Sequence, residues 1–367
     1  MPRPTLEHIV WAKSVPDRHR FSLAESAVDP PDLERLGLPH AAALPRHGGD
    51  VVRELEAALA ARLHAPGGRV QVTAGGSEAN AAAFLALFEP GDEVLVESPG
   101  YEPHRGVPAW FGARVRALPR GRDLAADVAA AIGPATRAVV FTDAHNPTGA
   151  RLTAEQAARL TALALERGLA LVCDETFREL DAGPPGTWSA LGEPWVCTST
   201  LTKSFGLGGL RIGWVMASPA VLERVARAHD GLSANVSEVS AALALALMPH
   251  LDTLRARAHG ILARHHARWQ AFTARDPRFA TPTRPLVTAF PVFDAPGAGD
   301  AFAAFAARAF DLALVPGRMF GEPRGVRIGL GAEAARFDPA FAQLERAAAA
   351  FDPARAHAPV AVPREHA

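Results

Sequence analysis

Ser199-Thr200-Leu201-Thr202-Lys203-Ser204-Phe205-Gly206-Leu207-Gly208-Gly209-Leu210-Arg211-Ile212-Gly213-Trp214 closes one apolar run, 195–199, and opens the next, 212–217. Between the two lies a lysine among hydroxyl residues, with an arginine eight positions later. Lysine is scarce in this chain. Of 38 basic residues, Lys13 and Lys203 are the two lysines, which leaves 36 arginines. There is one tyrosine, Tyr101, and there are three asparagines, Asn80, Asn146 and Asn235. GC-rich coding produces such a bias, so a Lys, Tyr or Asn that survives it is a candidate for a position where chemistry calls for that side chain, while others, such as Lys13, persist by chance. A nucleophilic lysine needs a lowered pKa, which desolvation and nearby cations provide. Arginine cannot replace it, because guanidinium stays protonated.

Three more stretches lie upstream at the ends of apolar runs. Thr73-Ala74-Gly75-Gly76-Ser77-Glu78-Ala79-Asn80 follows 69–73 and opens an Ala-rich helix that stops before Pro90. Free N–H groups at a helix start favour an anion, and glycines let the backbone approach closely. The stretch is neither a P-loop nor a GxGxxG dinucleotide motif. His145-Asn146-Pro147-Thr148-Gly149 ends the run 137–142. It reads equally as a β-turn or as a ligand site at the carboxyl end of a parallel strand. Asp174-Glu175 ends 169–173 in the same way. An acid there can cap a helix, bind a metal, act as a base, or pair with a cationic ligand atom.

The pattern around these stretches is an alternation. Candidate strands are 69–73, 93–97, 113–117, 137–142, 169–173, 195–199 and 212–217. Helices lie between them, with start signals at Asp123 for 124–132, Thr153 with Gln156 for 154–167, and Ser218-Pro219. A helical pattern also begins at Val51, while residues 1–45 read as irregular and Pro-rich. Strands separated by helices imply an α/β fold with a seven-stranded, mostly parallel sheet covered on both faces. Beyond residue 250 the texture changes to a long helix over 250–275 and a strand at 286–293. A helix at 300–310, strands near 313–315 and at 325–330, and a last helix starting at Asp338-Pro339 follow. That is a smaller α+β unit. Residues 352–367 read as a mobile tail.

Composition excludes several classes. The net charge is -1 and there is no basic stretch, which argues against a nucleic-acid surface. Apolar runs such as 81–88 and 241–248 fall far short of the roughly 18 residues of a membrane span. The N-terminus has no apolar signal region. Cys173 and Cys197 make no disulfide framework. A cytoplasmic protein without membrane or nucleic-acid partners is expected. Too few residues precede Val51 for an appended DNA-binding domain, so a ligand-sensing regulator is disfavoured.

In this order and spacing, the four stretches resemble fold-type I pyridoxal 5'-phosphate enzymes of the class I/II aminotransferase family, over about 44–330. The resemblance implies a large cofactor-binding domain, 46–250, built as an α/β/α sandwich. A small domain, 1–45 with 251–351, would include the N-terminal arm. It implies that Lys203 forms the internal aldimine and that Asp174 pairs with the protonated pyridine nitrogen. Asn146 donates to the ring's phenolic oxygen and faces the substrate, and Tyr101 stacks on the pyridine. Gly76, Ser77, Thr200, Thr202 and Arg211 form the phosphate cup, and Arg327 holds the substrate α-carboxylate. No metal is implied. A homodimer with shared sites is implied, with 232–240 and His47 as candidates for reaching the neighbouring subunit.

The implied activity is transfer of an amino group between an amino acid and a 2-oxo acid. The lysine run and the Asp-x-x-Phe pattern also resemble capreomycidine-synthase-like members, so a lyase or cyclase is the alternative. Phe177 stands three residues after Asp174, where the family usually has a tyrosine that donates a second bond to the phenolic oxygen. With that donor lost, the aldimine nitrogen is expected to hold its proton to higher pH than is usual in the family. A spectrophotometric pH titration of the holoenzyme measures this, and a low aldimine pKa contradicts it.

Overall fold

The computed structural model describes residues 5–40, 50–65, 67, 69–181 and 183–352. His47 and the tail 353–367 lie outside the described residues. The chain opens with helix α1 (Glu7–Ser14) and strand β1 (Phe21–Ser22), followed by α2 (Asp50–Leu63). The alternating part then runs β2 (Gln71–Thr73), α3 (Gly76–Leu87), β3 (Glu93–Ser98), α4 (Glu102–Trp110), β4 (Arg114–Pro119) and α5 (Leu124–Ala131). It continues with β5 (Thr136–Thr142), α6 (Ala154–Arg167), β6 (Ala170–Asp174), β7 (Trp195–Thr200) and β8 (Gly213–Met216). Helices α7 (Pro219–Leu232) and α8 (Glu238–Leu247) close it.

Strands β2 to β8 form one seven-stranded sheet in the order β2-β8-β7-β6-β5-β3-β4. β8 runs antiparallel to both its neighbours, and the other pairs are parallel. The expected strands are therefore all present in one mostly parallel sheet. Side chains alternate across it. Leu95, Val139, Phe141, Leu171 and Cys173 face a core shared with α2, α5, α6 and α8. Their neighbours Val94, Val96, Val140 and Val172 face the opposite side, where Phe84 and Phe88 cover them. The two-residue period of a strand thus places helices on both faces. The Thr153–Gln156 capping box and the Asp123 cap form as expected. Ser218 occupies the N-cap position of α7, but its hydroxyl makes no cap bond there.

The second half has its own aromatic core. Helix α9 (Leu251–Arg275), strand β9 (Thr288–Ala289) and helix α10 (Ala298–Phe310) come first. Strands β10 (Leu312–Ala313), β11 (Val315–Pro316) and β12 (Val326–Gly329) and helix α11 (Ala334–Ala350) complete it. Trp269, Phe272, Phe279, Phe302, Phe337 and Phe341 bury against one another there. The N-terminal segment joins this half, because β1 pairs with β10 in parallel.

Three expectations need correction. Residues 1–45 are not uniformly irregular, since α1 is a helix of two turns. The strand read at 286–293 shortens to β9, because Pro291 cannot donate to a ladder and Val292 forms just an isolated bridge to Gly325. The last helix starts before Asp338-Pro339. Glu333 is its N-cap residue, and Asp29 accepts from Glu333 N at 2.7 Å and from Arg336 at 2.8 Å, fixing the earlier start.

Candidate active site

A cavity of about 220 Å³ opens at the carboxyl ends of β5, β6 and β7. Gly76, Ser77, Tyr101, Asn146, Asp174, Phe177, Thr200, Thr202, Lys203, Arg211 and Arg327 all line it. The sequence-derived residues are therefore brought together from both halves of the chain.

Asp174 ends β6 and is 7% exposed. Its Oδ2 accepts from Asn80 Nδ2 at 3.0 Å and from His104 Nε2 at 3.2 Å, and its Oδ1 accepts from Thr176 N at 3.0 Å. Burial pushes this carboxyl's pKa up. The bonds from His104, Thr176 and Asn80, together with the charge of His104, outweigh burial and hold it below the usual carboxylate range. Asn80 is itself oriented by Thr198, whose hydroxyl donates to Asn80 Oδ1 at 2.6 Å. Sequence reading singled out neither Asn80 nor His104 for this place. The available signal was one of the three scarce asparagines, at the end of the Gly-rich stretch, and a histidine one helical turn after Tyr101.

Lys203 lies between β7 and β8. Among the described residues nothing accepts a hydrogen bond from its amine. Burial and the charges of Arg327 and Arg211 lower its pKa, against the opposing pull of Glu25 and Asp174. Tyr101 caps the start of α4 and meets His104 edge-on at 5.3 Å. Burial and the Asp174 charge push its hydroxyl up to about 12, so it stays neutral.

Arg327 sits on β12, 3% exposed. It donates from Nη1 to Asn146 Oδ1 at 3.3 Å and from Nη2 to the Ala24 carbonyl at 2.7 Å. Among the described residues its buried Nε has no hydrogen-bond partner. Burial lowers its pKa to about 10, which leaves it charged at neutral pH. The bond from Arg327 to Asn146 Oδ1 also sets the Asn146 amide, so that its NH₂ is the end left to donate.

At the other end of the cavity, Gly75 turns with φ +94° into α3. A Cβ on Gly75 would lie 2.3 Å from Arg211 Nη2, and one on Gly76 would lie 3.3 Å from the Thr200 methyl. Gly75 lets Arg211 close on the start of α3 where a Cβ would collide with it, and Gly76 leaves room for Thr200 beside it. Thr200 Oγ1 donates to the Ile212 carbonyl at 2.7 Å and lies 3.0 Å from Thr202 Oγ1.

The remaining wall was not anticipated. His8, Ile9, Trp11 and Ala12 of α1 line the cavity with Pro16, Glu25 and Ser26. The Glu102 carboxylate holds α1 in place by accepting from Glu7 N at 3.0 Å and His8 N at 2.7 Å.

A lysine at the end of a parallel sheet, an acid, an anion cradle and a separate arginine together define a fold-type I pyridoxal-phosphate site. The chain belongs to the aminotransferase class I and II family, whose model matches residues 47–344. Capreomycidine synthase of Streptomyces vinaceus is 34% identical over 289 residues, 75% of this chain and 73% of that protein. The probable N-succinyldiaminopimelate aminotransferase DapC of Mycobacterium tuberculosis is 35% identical over 179 residues. That match spans 46% of this chain and less than half, 45%, of DapC. A PLP-dependent aminotransferase of known structure from Streptococcus suis superposes with TM-score 0.84 at 21% identity, covering 96% of this chain and 99% of that one. At that identity the likeness is one of fold.

The residues present fit pyridoxal phosphate. The glycine cradle with Arg211 suits a phosphate dianion. The ionised Asp174 suits a protonated ring nitrogen. Lys203, with its lowered pKa and no bonding partner among the described residues, suits an aldehyde. No helix among the described residues is long and apolar enough to cross a membrane.

Proposed function

We propose that this chain is an aminotransferase that moves an amino group between an amino acid and a 2-oxo acid. The observation that carries the reading is one cavity lined by Lys203, Asp174 and the buried, half-satisfied guanidinium of Arg327. The bound cofactor supplies an electron sink for the electron pair left at the substrate Cα. Every other role falls to this chain's side chains. Gly76, Ser77, Thr200, Thr202 and Arg211 grip the phosphate. Asp174 keeps the ring nitrogen protonated, Asn146 donates to the ring oxygen, and Tyr101 lies against the ring face. Phe177, buried against the second core, closes the ring edge without donating. Arg327 receives the substrate α-carboxylate in its planar fork. Lys203 Nζ, biased toward its neutral form, takes the Cα proton and later returns it.

Residues 46–250 then hold the cofactor, and 1–45 with 251–351 supply the substrate side. We also assign the protein to the cytoplasm as a homodimer. The free, buried Cys173 and Cys197 support the compartment. The exposed Leu36, Leu232 and Val239 support an apolar contact, with 232–240 reaching the neighbouring subunit.

A second reading, a lyase or cyclase, is supported by the likeness to capreomycidine synthase along most of both chains. The test is to mix holoenzyme with a panel of amino acids and follow the cofactor spectrum and products. Conversion to the pyridoxamine form, reversed stoichiometrically by a 2-oxo acid, supports amino transfer. Ammonia release or a cyclised product without a 2-oxo acid replaces it with the second reading.

A further inference from the structure

We propose that Glu25 and His8 form a side-chain subsite that selects amino acids carrying a cationic side chain. The inference rests on the aminotransferase reading and adds to it a substrate class. In that reading Arg211, Asp174, Lys203 and Arg327 are each assigned to a part of the cofactor or to the α-carboxylate. The outer wall has no assignment.

Glu25 is the charged side chain of that wall. It is exposed toward the cavity, and among the described residues no hydrogen bond or ion pair engages its carboxylate. Its charge raises the pKa of both Lys203 and Arg327, so it lies within electrostatic reach of both. Once Arg327 holds a carboxylate and the Lys203 amine is neutral, the Glu25 charge has no cation left to face. A cationic side chain supplies one. An acidic side chain would meet a like charge there, and an apolar one would desolvate the carboxylate for nothing.

The backbone around Glu25 is fixed by the site itself. The Ala24 carbonyl accepts from Arg327 Nη2 at 2.7 Å, Gly329 N donates to the Leu23 carbonyl at 2.6 Å, and Val28 N donates to the Lys203 carbonyl at 3.2 Å. A Cβ at Gly329 would lie 2.1 Å from the Glu25 carbonyl, so the glycine permits this close passage. Glu25 therefore sits at a set distance from the reacting centre.

His8 is the second, independent observation. It is 5% exposed, and among the described residues neither ring nitrogen has a hydrogen-bond partner. Burial and the charges of Arg327 and Lys203 push its pKa to about 3, so the ring is neutral and sets no positive charge against a cationic ligand. Trp11 on the same wall adds an aromatic face for a cation.

Two measurements on the holoenzyme test the subsite. The first is the half-reaction with arginine, ornithine and lysine against leucine and glutamate. A charged hydrogen bond of this kind corresponds to a preference of about tenfold or more for the cationic set. Glu25→Gln should remove most of that preference by raising half-saturation with little change in maximal rate. Glu25→Arg should turn the preference toward glutamate. The second measurement is calorimetric binding of δ-guanidinovalerate, which has no α-amine and cannot react, against valerate. Tighter binding of the guanidino acid, lost in Glu25→Gln and weakened by salt, supports the subsite. Equal binding of the two acids, or a preference unchanged in Glu25→Gln, overturns it. If no amino acid reacts at all, the aminotransferase reading fails, and the calorimetric comparison still decides the subsite.

Discussion

Replacing Lys203 with alanine removes amino transfer by on the order of 10⁴-fold, while the cofactor still binds but is no longer attached to the chain. Two functions leave with the amine. One is the covalent link, which borohydride reduction and mass spectrometry of the denatured protein detect directly. The other is proton transfer at the substrate Cα, which needs a base whose neutral form is accessible. Burial, Arg327 and Arg211 lower the Lys203 pKa and make that form accessible. Lys203→Arg separates charge from proton transfer, because guanidinium keeps the cation but stays protonated. It is expected to be as inactive as the alanine variant. Noncovalent retention of the cofactor follows from the far end of the cavity, where α3, Arg211 and the glycine cradle are independent of Lys203. A Lys203→Ala protein that transaminates within a few-fold of the wild-type rate would refute the assignment.

The same residue shows what was legible in the sequence. Lys203 stood out because the chain writes arginine almost everywhere else, and Asp174 and Asn146 stood out because each ends a continuous apolar run. Buried parallel strands need such runs, so the seven strands and their carboxyl ends could be placed within a few residues. Helix α1 could not. Its apolar residues follow no helical period, and its first N–H groups are satisfied by Glu102, some 94 residues away. A helix held by a distant carboxylate leaves no local trace. The wall it carries, with His8 and Trp11, was invisible for that reason. His104 and Asn80 escaped for a related one. Their bonds to Asp174 come from two different helix starts, and nothing in their own neighbourhoods says that those starts converge.

That convergence bears on Asp174, whose replacement by asparagine is expected to lower kcat about 10²–10³-fold, a loss typical of removing one preorganised charge partner. Asparagine keeps the volume and one hydrogen bond but not the charge that holds a proton on the ring nitrogen. The pH dependence separates this from a packing defect. Asp174 has a depressed pKa in the folded protein, so it stays ionised as pH falls below the ordinary carboxylate value and is lost only as pH passes the folded pKa. Wild-type activity should therefore persist to lower pH than an ordinary aspartate allows. His104→Phe removes the largest favourable contribution while burial, which acts upward, remains. Its acid limb should move to higher pH, with a smaller loss at neutral pH than in Asp174→Asn. If His104 served only to pack against Tyr101 and Phe84, the profile would fall uniformly and its acid limb would stay in place. An Asp174→Asn enzyme within a few-fold of wild type would mean that the ring nitrogen needs no charged partner. The buried network of Asp174, His104, Asn80 and Thr198 would then be structural alone.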